Sequence, residues 1–237
     1  VVLPVMGRPM MPQDNAMLIP PSNFFIHYNP KRTNGQGHSI LFAEVILMND
    51  HDKPVFFRPD PDRARRCGWP EVIYGDGKTA QQIADVFQKL LAAAADNGGM
   101  PVYATRLEPL KAAKVMEQLP GLNYAESARI LYDHLPEEDK GLVAVCCAGT
   151  SDMPVAQEAA LTARLMGANV RCLYDVGVAG IHRLLAHEDV LRQANAIVAV
   201  AGMEGALPSV IGGLTASPVI AVPASVGYGA SFGGLSA

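Results

Sequence analysis

LVAVCCAGTSDMPVAQEA, residues 142–159, joins an uninterrupted apolar run to a Gly-Thr-Ser-Asp turn, and the turn to a helical pattern opened by Pro154. A run that is apolar throughout, rather than at alternate positions, is the pattern of a strand covered on both faces. Three further runs follow, NVRCLYD (169–175), AIVAVAG (196–202) and PVIAVPA (218–224), with helical segments between them. Strand and helix alternating at this spacing predict a parallel sheet in a three-layer α/β sandwich. Ligands of such sheets bind beyond the carboxyl ends of the strands, so the residues just after each run form the candidate site.

The first strand end carries Gly149, Thr150, Ser151 and Asp152 before the helix. Glycine permits a close turn, the three polar residues supply oxygens and caps, and free amides at a helix start favour an anion such as phosphate. An ordinary capped helix start fits the spacing equally well. The second end, DVGVAGIHRLL (175–185), offers Asp175, Gly177, Gly180, His182 and Arg183. Histidine titrates near neutral pH and suits proton transfer, and Asp175 can orient it or hold a ribose hydroxyl; a capping Asp and a half-exposed helical His are the plain alternative.

The third end, AGMEGALPSVIGGL (201–214), holds Glu204, the one charged residue between Ala194 and the chain's end, a span of 44 positions. A carboxylate among apolar groups and glycines has its pKa raised by desolvation, which suits a general acid or base. Its alternative role is a first-turn acid that complements a helix dipole. The fourth end, VPASVGYGASFGG (222–234), is glycine-rich but fits neither GxGxxG, because Phe232 stands where Gly is needed, nor GxSxG. It reads as a close-approach loop with Ser225 and Tyr228 as polar handles.

Upstream the pattern differs. Residues 1–61 hold half of the 18 prolines and three short aromatic and β-branched runs, FFIHY (24–28), SILFAEVILM (39–48) and PVFFR (54–58), which predict a small β-meander. His27, His38 and His51 are scattered through it without metal-ligand spacing. TAQQIADVFQKLLAAAA (79–95) places Ile83, Val86, Phe87, Leu90 and Leu91 on one helical face, PVYATR (101–106) predicts a strand and 109–118 another helix. Gly77-Lys78-Thr79 is not a phosphate loop, since Val72 occupies the position of the required first Gly. The resulting division is an extension over 1–61, a second region over 62–125 and the sheet domain over 126–237.

Composition narrows the function class. A net charge of −4 with dispersed Lys and Arg offers no stripe for a nucleic-acid backbone. No apolar run reaches the roughly 18–20 residues of a membrane span. Cys67, Cys146, Cys147 and Cys172 lack CxxC spacing, which predicts buried thiols in a reducing cytoplasm rather than disulfides or a metal site. The amino-terminal residues lack the pattern of a signal peptide, and the chain reads as cut at both ends.

Together AGTSDMPVAQEA, DVGVAGIHRLL, AIVAVAGMEGALPSVIGGL and PVIAVPASVGYGASFGGLSA, with RARRCGWPEVIYGDGKT (63–79) upstream, closely resemble LarB, the carboxylase and hydrolase family that begins nickel-pincer nucleotide biosynthesis. The likeness covers roughly residues 62–237, and the carboxyl-terminal half resembles, more distantly, the PurE aminoimidazole ribonucleotide carboxylases. It implies a flavodoxin-like sandwich in a homo-oligomer, an octamer in size. It also implies nicotinic acid adenine dinucleotide and carbon dioxide as substrates and no tightly bound cofactor, with a magnesium requirement left open. In the family a cysteine thiolate adds to the electron-poor pyridinium ring, makes it nucleophilic towards carbon dioxide, and then leaves.

Carried over by position, Gly149 to Asp152 would hold the mononucleotide phosphate and ribose, and Asp175, Gly177, Gly180, His182 and Arg183 would lie beside the ring or its carboxylates. Glu204 would act in catalysis with His182, while Gly202, Met203, Gly205, Ser225, Gly227, Tyr228 and Gly229 would complete the substrate pocket. The family's cysteine follows the last glycine-rich loop in an Asn-Ser-Cys segment that residues 1–237 do not contain. Cys147, at a strand end, reads as a packing thiol. A PurE-like purine carboxylase and a non-catalytic nucleotide-binding fragment stand as the alternative functions.

Overall fold

The computed structural model describes residues 57–60, 62–94, 98–137, 140–202 and 205–224, and the backbone of three strands nearer the amino terminus. Two compact units divide the chain, Val1–Arg58 and Pro59–Ala237. In the first, strands β1 (Leu3–Pro4), β2 (Phe24–Tyr28) and β3 (Phe42–Leu47) form an antiparallel sheet in the order β1-β3-β2. Both β1 and β2 pair with β3, so the last strand is central, unlike the sequential order of the expected meander. Of PVFFR, residues 57–58 are not strand, and the remainder lies outside the described residues.

The second unit opens with α1 (Arg63–Cys67), β4 (Ile73–Tyr74), α2 (Ala80–Ala92), β5 (Tyr103–Thr105), α3 (Pro109–Gln118), β6 (Asn123–Ala125) and β7 (Ile130–Tyr132). Helix α2 starts where a capping box satisfies two of its orphan amides: Thr79 Oγ1 accepts from Gln82 N and Gln82 Oε1 from Thr79 N. It buries Ile83, Ala84, Val86, Phe87 and Leu90, close to the face its spacing predicts. The four strands make a mixed sheet, β4-β5-β7-β6, with β4 and β5 parallel and β7 antiparallel to both its neighbours. The β6–β7 hairpin crosses the boundary expected at 125/126, so this sheet runs on to Tyr132.

The four apolar runs become β8 (Leu142–Cys147), β9 (Asn169–Leu173), β10 (Ala196–Ala201) and β11 (Val219–Pro223). They interleave with α4 (Met153–Leu165), α5 (Ile181–Leu185), α6 (Glu188–Gln193) and α7 (Ala206–Gly212). All pairings are parallel and the order is β11-β10-β8-β9. Counted from β8 this is 4-3-1-2, the flavodoxin-like arrangement read from its other edge, and its switch point lies between β8 and β10.

Helices cover both faces. On one, α4 sets Ala156 and Ala160 against Val145, Cys147, Val170 and Val200. On the other, Leu184, Leu191, Leu207 and Ile211 of α5 to α7 pack on Ala144, Cys146, Ile197, Ala199 and Ala201. Each fully buried Leu or Ile contributes about 1.5–3 kcal/mol, which favours this register of alternating faces. Helix α4 also turns Leu161 and Leu165 towards Tyr103, Ala128 and Ile130 of the mixed sheet, so it is packed on two sides, and Arg106 bridges to its Glu158 at 3.3 Å.

Candidate functional site

Three loops converge at the carboxyl ends of the parallel strands because the backbone laces them together. Val176 N donates to Cys147 O and Gly177 N to Ala148 O, both at 3.0 Å, which ties the end of β9 to that of β8. On the other side Ala148 N donates to Val200 O at 3.1 Å, and Gly205 N to Gly202 O at 2.9 Å turns the chain after β10. The loops 148–152 and 175–180, with Gly202 and Gly205 beside them, therefore open on one end of the sheet, around the switch point. Gly177 needs its bare Cα: a Cβ there would sit 2.8 Å from Ala148 O.

In the first loop Gly149 is followed by a single 3-10 turn, Thr150–Asp152, and then by α4 with Pro154 in its first turn. Asp152 is buried at 4% exposure, and its Oδ2 accepts the Gly149 N–H at 2.9 Å. Its carboxylate thus closes its own loop from below, and its pKa is raised by burial against the opposing pull of that amide. Thr150 and Ser151 are exposed, and among the described residues nothing engages their hydroxyls. These two side chains, and the amides of the turn's start, are the groups this loop presents outward.

Asp175 takes φ +56°, in the left-handed region, which turns the chain sharply after β9. Its Oδ2 pairs with Arg183 Nη1, both side chains being partly exposed. His182 precedes that arginine on α5 and is exposed, with no described partner for its ring. Gly202 is buried at the end of β10, and Gly205 adopts φ +61° before α7. Of the other residues expected here, Met203, Glu204, Ser225, Gly227, Tyr228 and Gly229 lie outside the described residues.

The cysteines separate clearly. Cys147 is fully buried under the first loop, donates its thiol to Gly149 O at 3.5 Å and has its pKa raised, chiefly by burial. Cys146 faces the opposite layer, where burial pushes its thiol up to about 12. Neither is poised as a thiolate. Cys172 is half-buried, and Cys67 is exposed, contrary to the expectation of buried thiols, because the five-residue α1 buries no residue. Among the described residues no group of His, Cys, Asp and Glu side chains could hold a metal ion, and no helix is long and apolar enough to cross a membrane.

An apolar groove of about 530 Å³ lies away from these loops, on the α4 face, lined by Val143, Val198, Ile220 and Val222 among others. It follows the sheet surface, and the charged side chains on its wall, Arg106 and Glu158, are paired with each other at 3.3 Å. The backbone of Cys147 and Ala148, which holds the loops together, escaped sequence reasoning because carbonyl positions leave no mark in side-chain patterns.

Known proteins divide the chain at nearly the same point as the two sheets. A family described as the LarB/PurE-like N-terminal domain matches residues 51–135, and the AIR carboxylase family matches 142–235. Uncharacterized protein MJ0165 of Methanocaldococcus jannaschii is 39% identical over 186 residues, spanning 72% of this chain and 68% of that protein.

Proposed function

Because the chain belongs to the LarB family, with a PurE-like carboxylase domain following the family's amino-terminal domain, we propose that it carboxylates the pyridinium ring of nicotinic acid adenine dinucleotide and hydrolyses its phosphoanhydride. The two domain matches support a carboxylase-type enzyme. In the proposed reaction carbon dioxide takes the place of a ring proton, and water divides the two phosphates, giving AMP and pyridinium-3,5-biscarboxylic acid mononucleotide.

The observation that supports it is the lacing of three loops around the switch point, which gathers hydroxyls, a guanidinium and an imidazole at one end of the sheet. Thr150 and Ser151 would meet phosphate and ribose, and Arg183 would meet an anionic oxygen. His182, an exposed imidazole beside Arg183, would move protons. Asp152 would act by holding the loop. Glu204 would activate water or accept a proton, with Gly202, Met203, Gly205, Ser225, Gly227, Tyr228 and Gly229 shaping the pocket. Cys147, buried with a raised pKa, is poorly suited to supply the thiolate that the ring chemistry requires.

Incubation with the dinucleotide and carbon-13 bicarbonate tests this: labelled mononucleotide and AMP are the expected products, and the absence of both refutes it. Repeating it with a chelator decides the magnesium requirement. Within the same reading the protein is a cytoplasmic homo-oligomer, an octamer, with no tightly bound cofactor, which light scattering checks. The match of 142–235 to AIR carboxylase supports a second reading, carboxylation of aminoimidazole ribonucleotide. Turnover of that compound, with indifference to the dinucleotide, would favour it. Tight nucleotide binding without either turnover would mark a non-catalytic binding protein.

A further inference from the structure

Gly180 is buried beneath the side chain of Arg183. A Cβ built on Gly180 would lie 2.7 Å from Arg183 Nε, 2.9 Å from Nη2 and 3.1 Å from Cζ. The guanidinium therefore rests where any other residue would carry its side chain. The backbone of Gly180, at φ −126° and ψ 58°, lies outside the left-handed region, so conformational freedom does not explain the glycine. The space above it does.

Asp175 holds the guanidinium from the other side. The ion pair uses Nη1, and among the described residues the remaining N–H groups of Arg183 have no partner. A pair with side-chain exposures of 40% and 53% adds little stability, because solvent screens it. Asp175 stands at φ +56°, a left-handed conformation that few non-glycine residues adopt and that Asp tolerates, and this turn aims its carboxylate at the arginine. A guanidinium laid over a bare glycine and held at one end by a weakly stabilising pair is oriented for another purpose. Arginine suits this purpose because its planar fork presents several donors in fixed geometry, which matches the oxygens of a phosphate or carboxylate.

We propose that Gly180 and Asp175 are positioning residues that fix the Arg183 guanidinium as the anion-binding fork of the strand-end site. This rests on the reading of that site as a nucleotide site, and it adds a cause for the fork's geometry. The ligand class is a phosphorylated sugar or nucleotide whose anionic oxygens reach the free edge of the fork.

Gly180→Ala is a discriminating probe because the atoms in its way are the far end of a flexible side chain. The fold should tolerate it while Arg183 is displaced. Binding of AMP, ribose 5-phosphate and inorganic phosphate would be measured by calorimetry for the wild-type chain, Gly180→Ala, Arg183→Ala, the double variant and Asp175→Asn. The expected result is a loss of about tenfold in AMP affinity for Gly180→Ala, with the melting temperature nearly unchanged. Arg183→Ala should lose at least as much, and adding Gly180→Ala to it should change affinity less than about twofold, because the glycine acts through the arginine. Asp175→Asn should weaken AMP severalfold.

Unchanged affinity in Gly180→Ala, or an equal loss in the Arg183→Ala background, overturns the proposal. So does failure of Gly180→Ala to fold, since the added methyl is then not accommodated by a yielding guanidinium, and so does a wild-type chain that binds none of the three probes. AMP binding requires no turnover. Loss of carboxylation with this affinity pattern intact would therefore sink the enzymatic reading alone, while turnover without the pattern would sink this one alone.

Discussion

Two loops of this protein begin alike and end differently. Gly75 to Thr79 follows β4 and Gly149 to Asp152 follows β8; each contains glycine, hydroxyl and acid, and each opens a 13-residue helix. After β4 the polar groups are engaged locally: Lys78 Nζ donates to Tyr74 O at 2.7 Å, and Thr79 is occupied by its capping box with Gln82. After β8 only Asp152 is engaged, and Thr150 and Ser151 remain open. The neighbours differ as well. β4 is an edge strand whose single partner β5 lies beside the antiparallel β7, whereas β8 has parallel strands on both sides whose loops arrive at the same end. A glycine-rich turn before a helix becomes a candidate site when neighbouring strand ends surround it and its polar groups are unoccupied.

The most forceful way to break this contrast is a methyl group in the lacing. Gly177→Ala puts a Cβ 2.8 Å from the Ala148 carbonyl, which is backbone and cannot swing aside. It should cost about 1–3 kcal/mol, and the separated loops should lose nucleotide affinity at least tenfold. Gly77→Ala is the matched control: it meets nothing within 4 Å but sits at φ +75°. Strain there costs about 1–2 kcal/mol, and AMP affinity should be unchanged. Thermal melts paired with calorimetry separate the two, and equal losses of affinity would remove the distinction between the loops.

Next in size is the buried carboxylate. Asp152→Ala leaves the Gly149 N–H without its acceptor, at a cost of about 1–3 kcal/mol, against about 1 kcal/mol for removing the exposed cap in Thr79→Ala. Asp152→Asn sharpens the test through pH. Because burial raises the Asp152 pKa above the usual 3.8, its proton binds more tightly in the folded than in the unfolded chain. Its contribution to stability is therefore full below that ordinary value and declines as pH rises through the folded pKa. Asp152→Asn removes the decline, so chemical denaturation should find this variant gaining on the wild type from acid towards neutral pH. A constant difference would show that Asp152 ionises as freely in the fold as outside it.

The parallel sheet was legible because its central strands are covered on both faces: LVAVCCA and AIVAVAG carry no polar residue, and each became a strand to within one residue, whereas the equally apolar edge strand β11 leaves Ile220 exposed. The mixed sheet was only partly legible. NYA and ILY are three residues each, too short to carry a period, and the β6–β7 hairpin depends on tertiary pairing with β5. At the site, residue types at the strand ends could be read from sequence, but their directions could not. Nothing in GTSD tells that Asp152 turns inward while Ser151 faces out, since that division is made by the close packing of Cys147 and Gly149 beneath the loop.

The smallest expected effects test the lesson most directly. Ser151→Ala removes an exposed hydroxyl with no described partner, so stability should stay within about 0.5 kcal/mol. If that hydroxyl meets phosphate or ribose, AMP affinity should still fall severalfold, since a single hydrogen bond contributes about 0.5–1.5 kcal/mol net. Lys78→Ala removes a full positive charge from the other loop, a larger chemical change, yet it should leave AMP affinity within twofold, because its ammonium is held on the Tyr74 carbonyl. Charge alone would rank the lysine first; location and open hydrogen-bonding capacity rank the serine first. Calorimetric titration of both variants with AMP at one ionic strength decides between these orders, and a larger loss for Lys78→Ala would move the nucleotide site to the mixed sheet.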